Sequence, residues 1–110
     1  MKYISVIVPF EEQYKNKLQT VAPDCVITYG SDIDMLRKAN IVLGNPPVDM
    51  LGQMPDLELI QLSMAGTEPY SRSGVLRDGI ILTNATGAFG LAISEHMVAA
   101  VTMLKSQVQT

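Results

Sequence analysis

"IVLGNPPVDMLGQMPDLELIQLSMAG", residues 41–66, contains two short apolar runs, each broken off by a cluster of turn-forming residues. Ile41-Val42-Leu43 gives way to Gly44-Asn45-Pro46-Pro47; Leu57 to Leu62 gives way to Ser63-Met64-Ala65-Gly66-Thr67. Short, nearly continuous apolar runs bounded by Gly and Pro read as strands buried on both faces. The Pro-Pro pair ends the first strand and starts a helical turn through Val48 to Leu51, since proline is tolerated at a first helical position. A strand, a helical connection and a second strand make the repeating unit of a parallel sheet, whose strands need a crossover to bring the chain back.

The same unit recurs on both sides. Ile4 to Val8 is β-branched apart from Ser5 and stops at Pro9. Glu11 to Val21 is rich in helix formers, with Tyr14, Leu18 and Val21 spaced four and three apart, and Pro23 closes it. Val26 to Tyr29 is a second β-rich run ended by Gly30, after which Ser31 or Asp32 caps a helix carrying Ile33, Leu36 and Ala39 on one side. Tyr70 to Leu76 fits a short helix, Arg77-Asp78-Gly79 a turn, and Ile80 to Asn84 a fifth strand. From Leu91 to Val108 runs the longest helical pattern, with Ile93, Met97, Val101, Leu104 and Val108 on one stripe and Ala92, Val98, Ala99 and Ala100 beside it. Five strands alternating with helices predict an α/β fold: a flavodoxin-like, doubly wound parallel sheet of five strands in the order 2-1-3-4-5.

Composition narrows the function. A chain of 110 residues with 47% apolar and 17% charged residues suits one globular core with a lean polar surface, which hints at a covering neighbour. The net charge is −3 and the eight Lys and Arg are scattered, so no nucleic-acid partner is expected. Cys25 stands alone and reads as a free thiol outside any disulfide or zinc site. No leader pattern opens the chain, and the longest apolar stretches, about five residues, fall far short of the roughly twenty that cross a bilayer. The expected setting is cytoplasmic, with no membrane contact.

Ligands of open α/β sheets sit at the carboxyl ends of the strands. The loops there are Pro9-Phe10, Gly44-Asn45-Pro46, Ser63 to Thr67 and Asn84 to Gly90; three contain glycine and none a cation. Ala65 and Gly66 are small enough for their amides to meet an anionic oxygen, the size of site that takes a carboxylate; the same residues also suit a tight strand-to-helix turn. "TGAFGLA", 86–92, matches neither GxGxxG nor a Walker loop and reads as a helix entrance. Glu95 and His96 are adjacent on a helix and point about 100° apart, so they do not form a hydrogen-bonded dyad. Asp32, Asp34, Asp49, Asp56, Glu58 and Glu68 are dispersed and read as caps and solvated surface, with no metal site among them.

Together, "LELIQLSMAGTEPY" and "GIILTNATGAFGLAISEHMVAAVTMLK" resemble the amino-terminal part of NAD(P)-dependent D-2-hydroxyacid dehydrogenases, the relatives of glyoxylate/hydroxypyruvate reductase, D-lactate and phosphoglycerate dehydrogenases. The resemblance covers the chain in element order and is specific from residue 57 onward. It implies that residues 1–90 form a flavodoxin-like substrate-binding lobe and 91–110 an interdomain helix leading to a Rossmann NAD- or NADP-binding lobe. It also implies that Ala65 and Gly66 hold the carboxylate of a small 2-oxo or 2-hydroxy acid, flanked by Met64 and Thr67, with Asn45 and Pro46 on the crevice wall. Ser94, Glu95 and His96 match the motif opening the interdomain helix, close to the cofactor. GxGxxG and the family's catalytic Arg, Glu and His have no counterpart in these 110 residues, so the chain by itself is expected to be an inactive part of an oxidoreductase that binds no cofactor, and its long apolar helix to drive homo-oligomer formation. The alternative reading is a stand-alone flavodoxin-like docking module without catalysis.

Overall fold

A computed structural model describes residues 2–30, 32–63, 70, 76, 78–84 and 93–109, of which 93 and 104–109 by backbone alone. The strands are β1 (Lys2–Val6), β2 (Cys25–Tyr29), β3 (Ile41–Leu43), β4 (Leu59–Gln61) and β5 (Ile81–Thr83), all parallel, in the order β2-β1-β3-β4-β5. The helices are α1 (Glu12–Val21), α2 (Ile33–Arg37) and α3 (Ile93–Gln109), with a 3-10 helix at Val48–Gln53. The expected doubly wound, flavodoxin-like sheet is therefore present.

Strand alternation sorts the core into two layers. Ile4, Ile41 and Leu59 lie abreast, as do Val6 and Leu43, and these side chains pack with Leu18 of α1 and Met97, Val98 and Val101 of α3. On the opposite face Val42 and Ile60 meet Leu36 of α2, Met50 and Leu51 of the 3-10 helix, Met54 and Tyr70. Each fully buried Leu or Ile contributes about 1.5–3 kcal/mol, so both layers are needed to close a sheet of this size. The first half of α3 is thus part of this core and packs against α1.

Several expectations shift by a residue or two. β1 starts at Lys2 and ends at Val6, because Lys2 to Val6 pair with Cys25 to Tyr29; past that point β2 turns off at Gly30, whose φ is +112°. β4 is Leu59–Gln61, shorter than the apolar run, because β3 offers only three residues to pair with. Asp32 is the cap of α2, its Oδ1 accepting from the Asp34 amide at 2.9 Å. Ile33 is a correction: Leu36 and Ala39 are buried as the spacing predicts, but Ile33 is 54% exposed. With only five residues, α2 turns its first position away from the sheet. The expected helix from Tyr70 to Leu76 lies largely outside the described residues. At the amino edge, Asn40 joins three segments: its Oδ1 accepts from the Tyr3 amide at 2.8 Å and its Nδ2 donates to the Asp56 carbonyl and to Glu58.

Candidate functional site

The carboxyl edge is organised around Gly44. Its φ of +128° is a glycine conformation, and a Cβ there would lie 2.6 Å from Cγ1 of Ile7, so both backbone and space require the missing side chain. The Gly44 amide donates to the Gln61 carbonyl at 2.8 Å, which brings the next residue, Asn45, to the end of β4. There Asn45 Oδ1 accepts from the Ser63 amide at 2.9 Å and from the Ser63 hydroxyl at 2.8 Å. The buried Tyr70 donates its hydroxyl to the Pro46 carbonyl, and burial pushes its phenol above the ordinary value. Residues 63 and 70, the two flanks of the segment 64–69, are therefore both tied to the adjacent pair Asn45-Pro46.

Asn45 and Pro46, expected to line the crevice, follow β3 at the carboxyl edge and hold Ser63 and Tyr70. Met64, Ala65, Gly66 and Thr67 lie outside the described residues. Ser94, Glu95 and His96 form the start of α3: Ser94 is buried with its Oγ 3.5 Å from the Pro9 carbonyl, and His96 Nε2 is 3.1 Å from the Asn84 carbonyl. The start of α3 is thereby docked on the loops after β1 and β5. Among the described residues no hydrogen bond joins Glu95 to His96, in keeping with their divergence on the helix.

Sequence reading missed three contributors. Ser63 and Tyr70 act as anchors, a role visible only once Asn45 and Pro46 are beside them. Gln61, 1% exposed, donates through Nε2 to the Leu62 carbonyl at 3.0 Å and the Asn84 carbonyl at 3.1 Å, while Oε1 accepts from the Thr83 hydroxyl. A Gln inside the apolar run "LIQL" was the available signal, since a buried amide must find partners.

Two clefts open beside these elements. One, of about 230 Å³, lies between α3 and the β4–β5 edge and is lined by Leu59, Gln61, Ile81, Thr83, His96, Ala99, Ala100 and Met103. The other, of about 490 Å³, lies past the ends of β1 and β2 and is lined by Ile7, Val8, Pro9, Phe10, Lys15, Tyr29 and Gly30. Lys15 reaches it from α1, so the carboxyl edge has a cation although its loops carry none.

The described carboxyl edge offers backbone and amide hydrogen-bonding groups and one lysine, a set suited to holding an anion and orienting it. No helix among the described residues is long and apolar enough to cross a membrane. The chain matches no protein-family model, and no curated protein matches it at a significant level.

Proposed function

We propose that this chain is the substrate-binding lobe of an NAD(P)-dependent D-2-hydroxyacid dehydrogenase. In the reducing direction a hydride passes from the reduced nicotinamide to C2 of a 2-oxo acid and a proton to its oxygen, leaving the 2-hydroxy acid and the oxidised cofactor. This lobe's part is to grip the carboxylate through the amides of Ala65 and Gly66 so that C2 faces the cofactor. The nicotinamide site and the acid-base residues belong to residues outside these 110.

The observation that carries the reading is the double anchor: Ser63 on Asn45 and Tyr70 on Pro46 secure both flanks of the segment that bears Ala65 and Gly66. Anchoring the two flanks lowers the ordering cost that the segment between them pays on binding, which is what a positioning lobe requires. In sequence the segment follows β4, and such sheets bind ligands at the carboxyl ends of their strands. The start of α3, with Ser94, Glu95 and His96, packs on neighbouring loops of that edge, where a cofactor lobe would meet it.

Titration of the isotope-labelled chain with glyoxylate or pyruvate at roughly millimolar concentration, followed by amide NMR, tests this. The expected result is saturable shifts confined to residues 63–67 and Asn45, with none on adding NAD. Absence of any shift in 63–67, or tight NAD binding by residues 1–110, overturns the proposal.

A further inference from the structure

The cleft past β1 and β2 lies on the far side of β1 from Asn45 and Ser63 and plays no part in the proposed carboxylate site. It forms because the two strands part. The Gly30 amide donates to the Val6 carbonyl at 2.9 Å, the last rung of the ladder between them, and Gly30 then turns away with φ +112° and open space where a Cβ would stand. Ile7 N–H goes to the Leu43 carbonyl on the β3 side at 3.0 Å, and the chain then bends at Val8, which lines the cleft. Among the described residues no acceptor takes the Val8 amide.

Two aromatic rings and a cation surround that gap. Phe10 and Tyr29 stand with ring centroids 6.0 Å apart and planes tilted by 52°. Lys15 Nζ lies 4.7 Å from the centre of the Tyr29 ring, which holds the ammonium at the cleft and leaves its outer side open to an anion. Its carboxylate neighbour, Glu12, is 3.9 Å away and 81% exposed, a loose pair that water screens. Ile7, Val8 and Pro9 complete an apolar wall.

We infer that this cleft is a binding site for a small aromatic monocarboxylate. The ring lies against Phe10 and Tyr29, and the carboxylate spans Lys15 Nζ and the Val8 amide. The volume, about 490 Å³, falls in the range of small-molecule sites, and the cleft is open, with apolar side chains and polar groups both on its lining.

Amide NMR of the full chain with benzoate, benzamide and cyclohexanecarboxylate as probes decides the matter. Benzoate is expected to shift Val8, Phe10 and Gly30 saturably, with benzamide and cyclohexanecarboxylate each binding more weakly. Lys15→Met, which keeps the stem and removes the charge, is expected to weaken benzoate by roughly tenfold or more, the worth of one charge-assisted hydrogen bond. Benzoate shifts confined to residues 63–67, no shift at Val8 and Gly30, or unchanged affinity in Lys15→Met would each overturn the inference; the first would leave the 2-oxo acid proposal standing.

Discussion

Replacing Asn45 by Ala removes the acceptor for two hydrogen bonds at once and leaves the Ser63 amide half-buried without a partner. Each of the two bonds contributes about 1 kcal/mol net, and an orphaned donor adds roughly 1–3 kcal/mol of desolvation cost, so the total loss is about 3–5 kcal/mol. A domain of this size has about 5–15 kcal/mol in all and loses roughly 4–8 °C of Tm per kcal/mol, which predicts a fall of about 12–40 °C. Urea and thermal unfolding of the parent, Asn45→Ala, Ser63→Ala and the double variant give both the loss and the coupling between the two side chains. Asn45→Asp separates the anchor from the proposed site: its carboxylate still accepts both bonds, so stability stays within about 1 kcal/mol, while its charge repels a bound carboxylate and weakens glyoxylate by about tenfold. A loss under about 0.5 kcal/mol in Asn45→Ala, or additive Asn45 and Ser63 variants, would refute the anchor.

Gly44→Ala is expected to cost roughly 2–5 kcal/mol in urea unfolding, from positive-φ strain plus the clash with Ile7; a neutral substitution would show the turn to be looser than described. Burial raises the Tyr70 pKa in the folded state, so its contribution to stability is complete below the unfolded value of about 10 and declines as pH rises from there through the folded value. Tyr70→Phe should therefore flatten the alkaline loss of stability, besides costing about 1–3 kcal/mol at neutral pH by orphaning the Pro46 carbonyl; an unchanged alkaline slope counts against it. Ser5 Oγ is buried with no partner among the described residues, so Ser5→Ala should be neutral or stabilise by up to about 1 kcal/mol, and a clear loss in thermal unfolding would reveal a bond there. Among the described residues no Asp, Glu, Lys or Arg lines the cleft beside β5, where Ile81 and Met103 are 43% and 65% exposed, so two copies of this acidic chain can meet there without opposing carboxylates. Light scattering is expected to show dimers that Met103→Glu disperses, and a clean monomer at high concentration would sink that expectation.

What the amino-acid order determined by itself was the succession of elements and their place in the sheet. Short β-branched runs stopped by Gly or Pro, alternating with helical spacing, admit few arrangements other than a parallel sheet wound on both faces, and β2-β1-β3-β4-β5 followed. The glycines at the carboxyl edge were legible for the same reason, because the demand for positive φ at Gly30 and Gly44 is local. The carboxyl-edge location of the candidate site followed from the fold type. Tertiary structure decided what depends on partners far along the chain. The ends of β1 and β4 were set by the lengths of the strands they pair with, and the exposure of Ile33 by how little of α2 reaches the sheet. Asn45 became an anchor only because Ser63 arrives 18 residues later, and Pro46 found Tyr70 after 24. Periodicity records which face a residue shows and nothing of which distant residue will face it, so hydrogen bonds across such separations, and the clefts left where paired strands diverge, are properties of the folded chain alone.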